Sequence, residues 1–296
     1  MSWKDDLEQT FNRWSKRSSL TEEQKCDNAL RMIKAAVKSH DDLSKLDIEF
    51  IPQGSYHNNT NVRQNSDVDI CVRLKSTFFY ELPKGTTYEQ FGIIPSSYTF
   101  DQYRSSIGEA LRNKFGPENV TRGNKAFDVH SNSYRVDADV VACFEHRRYL
   151  ADGSYITGTQ FYSKDGTEII NFPEQHYSNG VTKNTATARR YKRVVRILKR
   201  LKAQMESDGV NGIDNISSFL IECLVWNVPN EYFNKSTYSE DAENILRYLY
   251  HNTQNHSLCG EWGEVSDLLY LFHGARSYTL EEVNGFTLEA YSHAFL

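Results

Sequence analysis

Long apolar runs are missing from this 296-residue sequence. None approaches the roughly 20 residues needed to span a bilayer, so no membrane-embedded protein is expected. The first residues, Trp3-Lys4-Asp5-Asp6, do not form the basic-then-apolar pattern of a secretory leader. Paired cysteines are missing too. Cys26, Cys71, Cys143, Cys223 and Cys259 are scattered, odd in number and without a CxxC spacing. That pattern argues against a zinc knuckle or a disulfide framework and predicts reduced thiols in a soluble, cytoplasmic protein. There are no repeats and no low-complexity linker, and a net charge of −5 gives no sign of a generally basic partner surface. What the chain does have is core material. At 39% hydrophobic and 13% aromatic residues it belongs with folded proteins, and its length allows two modest domains or one two-lobed one.

The pattern opens with helix. Trp3, Leu7, Phe11 and Trp14 fall at helical spacing, and Thr21 with Gln24 suggests a capping box opening a second helix that turns Leu30, Ile33 and Val37 inward. Ile48 to Gln53 reads as a strand running into Gly54-Ser55, followed by a short helix from His57 to Arg63. Ser66 to Leu74 alternates as a strand, residues 76 to 100 read as an excursion, and Phe100 to Phe115 as a helix. Hairpins are expected from Ala126–Val129 with Tyr134–Phe144, and over Tyr155–Phe172 with Asp165-Gly166 as the turn. From about Thr185 the pattern is mostly helical. The expected division is residues 1–180 as an α/β core with N-terminal helices and 181–296 as a helical C-terminal lobe, with a cleft between the lobes.

The chemistry concentrates in the first of these. On a strand, Asp67 and Asp69 project from one face while Val68 and Ile70 enter the core. Two carboxylates on one face of a buried strand repel each other and are costly to desolvate, and a divalent cation offsets that cost. Mg²⁺ takes oxygen ligands, typically one or two carboxylates plus phosphates and water. A third acid is offered by Val136-Asp137-Ala138-Asp139-Val140, where Asp137 and Asp139 share a face and spacing alone does not choose between them. Such a set would hold two Mg²⁺ ions, with Mn²⁺ as a substitute. Gly54-Ser55, between a strand and a helix, offers free N–H groups and a hydroxyl for phosphates. A lone Gly-Ser is usually a turn, and a lone DxD usually a solvated strand face. The ordered combination carries the reading.

Gln53-Gly54-Ser55-Tyr56 followed by Asp67-Val68-Asp69-Ile70 resembles the signature of polymerase-β-type nucleotidyltransferases, most closely the branch of oligoadenylate synthase, cyclic GMP-AMP synthase and the bacterial CD-NTases. In that branch the third acid opens a segment of the form Asp-Val-Leu/Val-Pro-Ala-Phe. Asp139-Val140-Val141-Ala142-Cys143-Phe144 is similar, with alanine where proline is usual. The resemblance selects Asp139 and leaves Asp137 in support. It implies a mixed-sheet polymerase-β-type α/β (α+β) core carrying an N-terminal helix and a helical C-terminal lobe.

The resemblance extends into the second half. In the basic stretch from Arg189 to Lys202, Tyr191, Val194, Val195, Leu198, Leu201 and Met205 cover one arc, and Arg193, Arg196 and Arg200 point away from it as a solvated basic face. Lys199 sits at the edge of that arc, and Ile197-Leu198-Lys199 is similar to the family's triphosphate-contacting lysine element. Ser217-Ser218-Phe219-Leu220-Ile221-Glu222 resembles the Ser-Tyr-x-Leu-Glu element, which implies phosphate contact at Ser218 and base stacking at Phe219. Pro173-Glu174-Gln175-His176-Tyr177-Ser178-Asn179 resembles the Pro-x-x-His-x-x-Asn arrangement of the pyrimidine-accepting clade, making Asn179 a candidate for base reading, although a turn residue before Gly180 is an equal alternative.

As an expectation, the chain is a monomeric cyclic oligonucleotide synthase. It would use ATP, GTP and/or UTP, release pyrophosphate, and make a second messenger that acts on a downstream effector in anti-phage (CBASS) signalling. No activating duplex nucleic acid is expected, because the outward arginines are few and local. Alternatives are a linear nucleotidyltransferase acting on an RNA or protein acceptor, and a non-catalytic nucleotide-binding regulator.

Overall fold

Alternating and 3.6-residue apolar periods resolve into seven strands and a set of helices in the computed structural model, which describes residues 3–17, 20–62, 67–274 and 276–296. In chain order the main elements begin α1 (Trp3–Trp14), α2 (Leu20–Lys38), β1 (Ile48–Gln53), α3 (Gly54–His57), β2 (Val68–Glu81), α4 (Phe100–Phe115), β3 (Val120–Arg122) and β4 (Phe127–Val129). They continue with β5 (Ala138–Tyr149), β6 (Tyr155–Tyr162), β7 (Glu168–Asn171), α5 (Pro173–Ala186), α6 (Tyr191–Ser207), α7 (Ser218–Trp226), α8 (Tyr238–Asn252), α9 (His256–Cys259) and α10 (Leu280–Phe295). Ser66 and the side chain of Thr21 lie outside the described residues.

The chain divides into two units, and the division differs from a break at 180. One unit joins Met1–Ser18 and Asn58–Val62 to Glu174–Leu296; the other holds Ser19–His57 and Arg63–Pro173. The first is all-helical around a core built on α6 and α7, where Tyr191, Val194, Val195, Leu198 and Leu201 meet Leu220, Ile221 and Leu224. Phe11 of α1 is fully buried in the same core, which is why the first helix belongs here.

The second unit is a mixed sheet in the order β1-β2-β5-β4-β3, with β6 and β7 continuing from the far half of β5. Among the described residues only β2 and β5 pair in parallel; β1 with β2, and β4 and β6 with β5, are antiparallel. Val68, Ile70, Val72 and Leu74 bury one face of β2 in a core shared with Ile33 and Val37 of α2 and Tyr103, Ile107 and Leu111 of α4.

Several expectations need correction. β2 does not stop at Leu74: after a bulge it runs on to Glu81, because Phe78–Glu81 pair with Glu145–Arg148 and Phe79 packs against Phe144 at 5.3 Å. The helix after β1 starts at Gly54 and ends at His57, and Asn59 adopts a left-handed φ of 55°, so the helix expected over His57–Arg63 is absent as far as Val62; Arg63 lies outside the described residues. The helical region opens at Pro173, whose fixed φ suits the first turn, rather than near Thr185. Asn179 therefore lies inside α5 and is not a turn residue. Arg196 is not on a solvated face: it is buried, and its guanidinium donates to the carbonyls of Ser15 and Asn59. Finally, Cys71 and Cys143 are joined in a disulfide between β2 and β5, against the expectation of reduced thiols throughout. The parallel register sets Cys71 beside Val141 and Arg73 beside Cys143, so the two sulfurs meet on a diagonal that sequence spacing does not reveal. Cys26, Cys223 and Cys259 are free and buried.

Candidate active site

The strand register assembles the acids of the sheet unit. Asp69 of β2 is the direct partner of Asp139 of β5 across the parallel ladder, and on the other side of β5 Asp139 pairs with Asp128 of β4. Asp67, just ahead of β2, is exposed and close enough to raise the proton affinity of both Asp69 and Asp139. Burial, then the charges of Asp139 and Asp67, pushes the Asp69 carboxyl up to about 7. Burial, then Asp67 and Asp128, pushes Asp139 up to about 6. These carboxylates are held where their own charges are unfavourable, as expected of a site that a cation completes.

Asp137, which the alternation left level with Asp139, is engaged elsewhere: it accepts the backbone N–H of Ser131 at 2.6 Å and ties down the loop before β5. Asp128 is the acid that sequence reading passed over. Its signal was available, since Phe127-Asp128-Val129 places one carboxylate between two buried apolar residues.

Gly54 is fixed by geometry twice over. Its φ is +72°, and a Cβ built there would lie 1.7 Å from a carboxylate oxygen of Asp69. The backbone must therefore pass against the acid, which only glycine permits. Ser55 follows on the first turn of α3, partly buried. Among the described residues no group of three or more His, Cys, Asp or Glu side chains is placed to hold a metal ion by itself. An in-register pair with Asp67 beside it fits an ion that fills its shell with phosphate and water oxygens, as Mg²⁺ does.

The helical unit holds the other expected residues. Ser217 caps α7 by accepting the N–H of Leu220 at 3.1 Å, which leaves Ser218 exposed at the first helical position. Phe219 is 45% exposed, and its ring lies 5.8 Å from the ring of His176. Lys199 is 4% exposed. Its ammonium donates to Glu222 at 3.0 Å and to the hydroxyl of Thr60 at 3.1 Å. Asn179 donates both amide hydrogens, to the carbonyls of Val265 at 3.0 Å and Ser266 at 3.1 Å, so its Oδ1 orientation is set. Lys183 donates to Val228 O and Asn230 Oδ1, and Asn184 accepts the N–H of Lys192; both serve the fold.

Known proteins share this architecture. Residues 178–294 match the cGAS/DncV-like nucleotidyltransferase C-terminal helical domain. A cyclic dipyrimidine nucleotide synthase CdnE of Cecembia lonarensis is 46% identical over 97% of this chain and 97% of its own length. A cyclic dipyrimidine nucleotide synthase CdnE of Legionella pneumophila is also 46% identical, over 97% of this chain and 98% of its own. The structure of Elizabethkingia meningoseptica CdnE cyclic dinucleotide synthase with GTP and Apcpp superposes with a TM-score of 0.82 at 38% identity, covering 98% of this chain and 99% of that one. With relatives this similar along nearly its whole length, and with its acids paired across the central ladder of the sheet, the chain belongs to the cGAS/DncV-like nucleotidyltransferases, within their CdnE group.

Proposed function

We propose that this protein is a cyclic oligonucleotide synthase that joins two or more nucleoside triphosphates with release of pyrophosphate. The observation that carries the reading is the in-register Asp69/Asp139 pair with the Gly54 backbone pressed against it. Asp67, Asp69 and Asp139 are the residues that would hold Mg²⁺, or Mn²⁺ in its place. A bound divalent cation supplies positive charge to a triphosphate and acidifies an attacking hydroxyl. Backbone N–H groups at Gly54 and the Ser55 hydroxyl would hold phosphate oxygens. Asp139, whose proton affinity burial has raised, is suited to accept the proton of a 2′- or 3′-hydroxyl as the α-phosphate is attacked in line.

In the helical unit, Ser218 and Lys199 would serve the triphosphate, and the exposed Phe219 ring a base. A preference for pyrimidines is proposed from the two 46%-identical relatives named cyclic dipyrimidine synthases and from Asn179. With both its donors committed to carbonyls, Asn179 presents an acceptor, which suits the N3–H of uracil. The product would be a second messenger acting on an effector in anti-phage defence, made in the cytoplasm by a monomer.

Incubation with all four NTPs, each labelled in turn, and Mg²⁺ or Mn²⁺ tests this. A phosphatase-resistant product of cyclic mass, rich in uridine, is expected. A phosphatase-sensitive product would replace the ring with a linear transferase, and no pyrophosphate release from wild-type protein would remove the enzyme reading.

A further inference from the structure

The middle of α7 is the least expected place for a charge. Its sequence, Ser-Phe-Leu-Ile-Glu-Cys-Leu-Val-Trp, is apolar except for its first residue and Glu222. Glu222 is 3% exposed, and an ionised carboxylate in such a setting is costly unless fully satisfied. It is satisfied in a divided manner. One oxygen, Oε2, receives the Lys199 ammonium at 3.0 Å and the Thr60 hydroxyl at 2.6 Å. The other, Oε1, lies 3.2 Å from His176 Nε2. Burial pushes this carboxyl up, but the Lys199 charge, His176 and the Thr60 hydrogen bond outweigh it and hold the group well below the usual carboxylate range.

Glu222 also stands three and four residues after Phe219 and Ser218, so all three share a side of α7. His176, held by the carboxylate, lies against the Phe219 ring at 5.8 Å with an interplanar angle of 31°. One oxygen thus faces the residue proposed for phosphate, and the other faces His176, which lies against the Phe219 ring proposed for the base. Among the described residues the Lys199 ammonium donates to two acceptors, Glu222 and Thr60, of the three that an ammonium can serve. Buried ion pairs can often be replaced by hydrophobic residues of similar volume without loss of stability, so the presence of this one points to a role beyond packing.

We propose that Glu222 is a positioning residue that couples triphosphate recognition at Lys199 to base recognition at His176 and Phe219. Ordering of the base side then tightens the phosphate side, because Lys199 and His176 bond the two oxygens of one carboxylate. This rests on the nucleotide-binding reading of Lys199 and Phe219 given above.

Binding of inorganic tripolyphosphate, which has no base, is the decisive probe. His176→Asn is expected to weaken it by about threefold or more, the size of coupling typical of residues in one network. Phe219→Ala, which leaves the carboxylate untouched, should not change it. In an isosteric Glu222→Gln background, the effect of His176→Asn on tripolyphosphate should vanish. Glu222→Gln itself should raise the KM for NTP about tenfold with kcat within a few-fold. Tripolyphosphate binding unaltered by His176→Asn, or weakened equally by Phe219→Ala, would overturn the coupling. If Glu222→Gln does not fold, the first two variants decide alone. Product formation by the wild type is measured alongside: its absence removes the nucleotide-binding reading, whereas normal turnover with unaltered tripolyphosphate binding removes only the coupling.

Discussion

Asp69 and Asp139 are direct neighbours across the parallel β2–β5 ladder, and the charge of Asp139 adds to the reluctance of Asp69 to ionise. Replacing either with asparagine keeps the shape and removes the charge. Nucleotidyl transfer by Asp69→Asn or Asp139→Asn is expected to fall by about a hundred- to a thousandfold, the scale on which loss of transition-state charge stabilisation is felt. The metal-free variants should also melt higher than wild type, by about 2–4 °C for each kcal/mol of relieved repulsion in a chain this long. Pyrophosphate release and thermal melts in chelator measure the two effects. A variant with unchanged turnover would remove that aspartate from the site.

The same shifts set a pH dependence. Asp69 titrates at about 7 and Asp139 at about 6 in the folded protein, both above the ordinary carboxylate value of 3.8. Between about pH 4 and about pH 7 the folded state keeps protons that the unfolded chain gives up, so this pair's contribution to stability declines as pH rises through that window. The advantage of Asp69→Asn in metal-free melts should therefore grow from about pH 5 to about pH 8. Divalent cation binding requires the deprotonated acids and should release protons near pH 6. Calorimetry in buffers of different ionisation enthalpy reads that release directly.

Gly54→Ala tests the close approach of backbone and acid. The new methyl must share space with the Asp69 carboxylate and accept a φ of +72°, which by itself costs a non-glycine residue about 1–2 kcal/mol. A lower melting temperature and a loss of turnover of about a hundredfold are expected, since a displacement of about 1 Å has that effect in a positioned site. Soluble, folded Gly54→Ala with wild-type kcat would show that the carboxylate can move without consequence.

Phe219→Ala separates binding from folding. Phe219 is nearly half exposed, so removal of its ring should leave the melting temperature within a few degrees. If the ring stacks on a base, KM for the preferred NTP should rise by about tenfold, as base–aromatic stacking contributes about 1–3 kcal/mol. A melt lowered by many degrees with KM unchanged would assign Phe219 to packing alone.

The disulfide predicts a thiol count. Denatured without reductant, the chain should react at three cysteines, Cys26, Cys223 and Cys259, and at all five after reduction. Alkylation followed by intact-mass measurement distinguishes the two states. Five reactive thiols before reduction would show that Cys71 and Cys143 are not bonded.

Much of this was legible in the residues. α4 was bounded at Phe100 and Phe115 by its apolar spacing, and β1 at Ile48 and Gln53 by alternation and the glycine that follows. The features that escaped are set by partners distant in sequence. β2 continues through Glu81 because β5 offers it ladder partners beyond the bulge, and nothing within residues 76–81 announces that. Asp137 and Asp139 are equivalent by period; the backbone N–H that occupies Asp137 belongs to the folded loop. The pairing of Asp139 with Asp69 on one side and Asp128 on the other is a property of register, which strand patterns constrain only to a face. Arg196 has the helical position of a solvated cation and is buried because α1 and the 58–62 segment bring two carbonyls to it.

That the acids meet through a parallel pair has a consequence for the nascent protein. Parallel strands cannot be joined by a tight turn, and here α4 and the β3–β4 hairpin lie in the chain between β2 and β5. Asp69 is made long before its partner, and contacts so separated along the chain form late because loop closure must precede them. A ribosome-bound fragment ending ahead of β5 carries the glycine turn and the first two aspartates but no level pair. On the metal site proposed above, a chain still being synthesised would be kept from nucleotide chemistry until the central ladder has zipped.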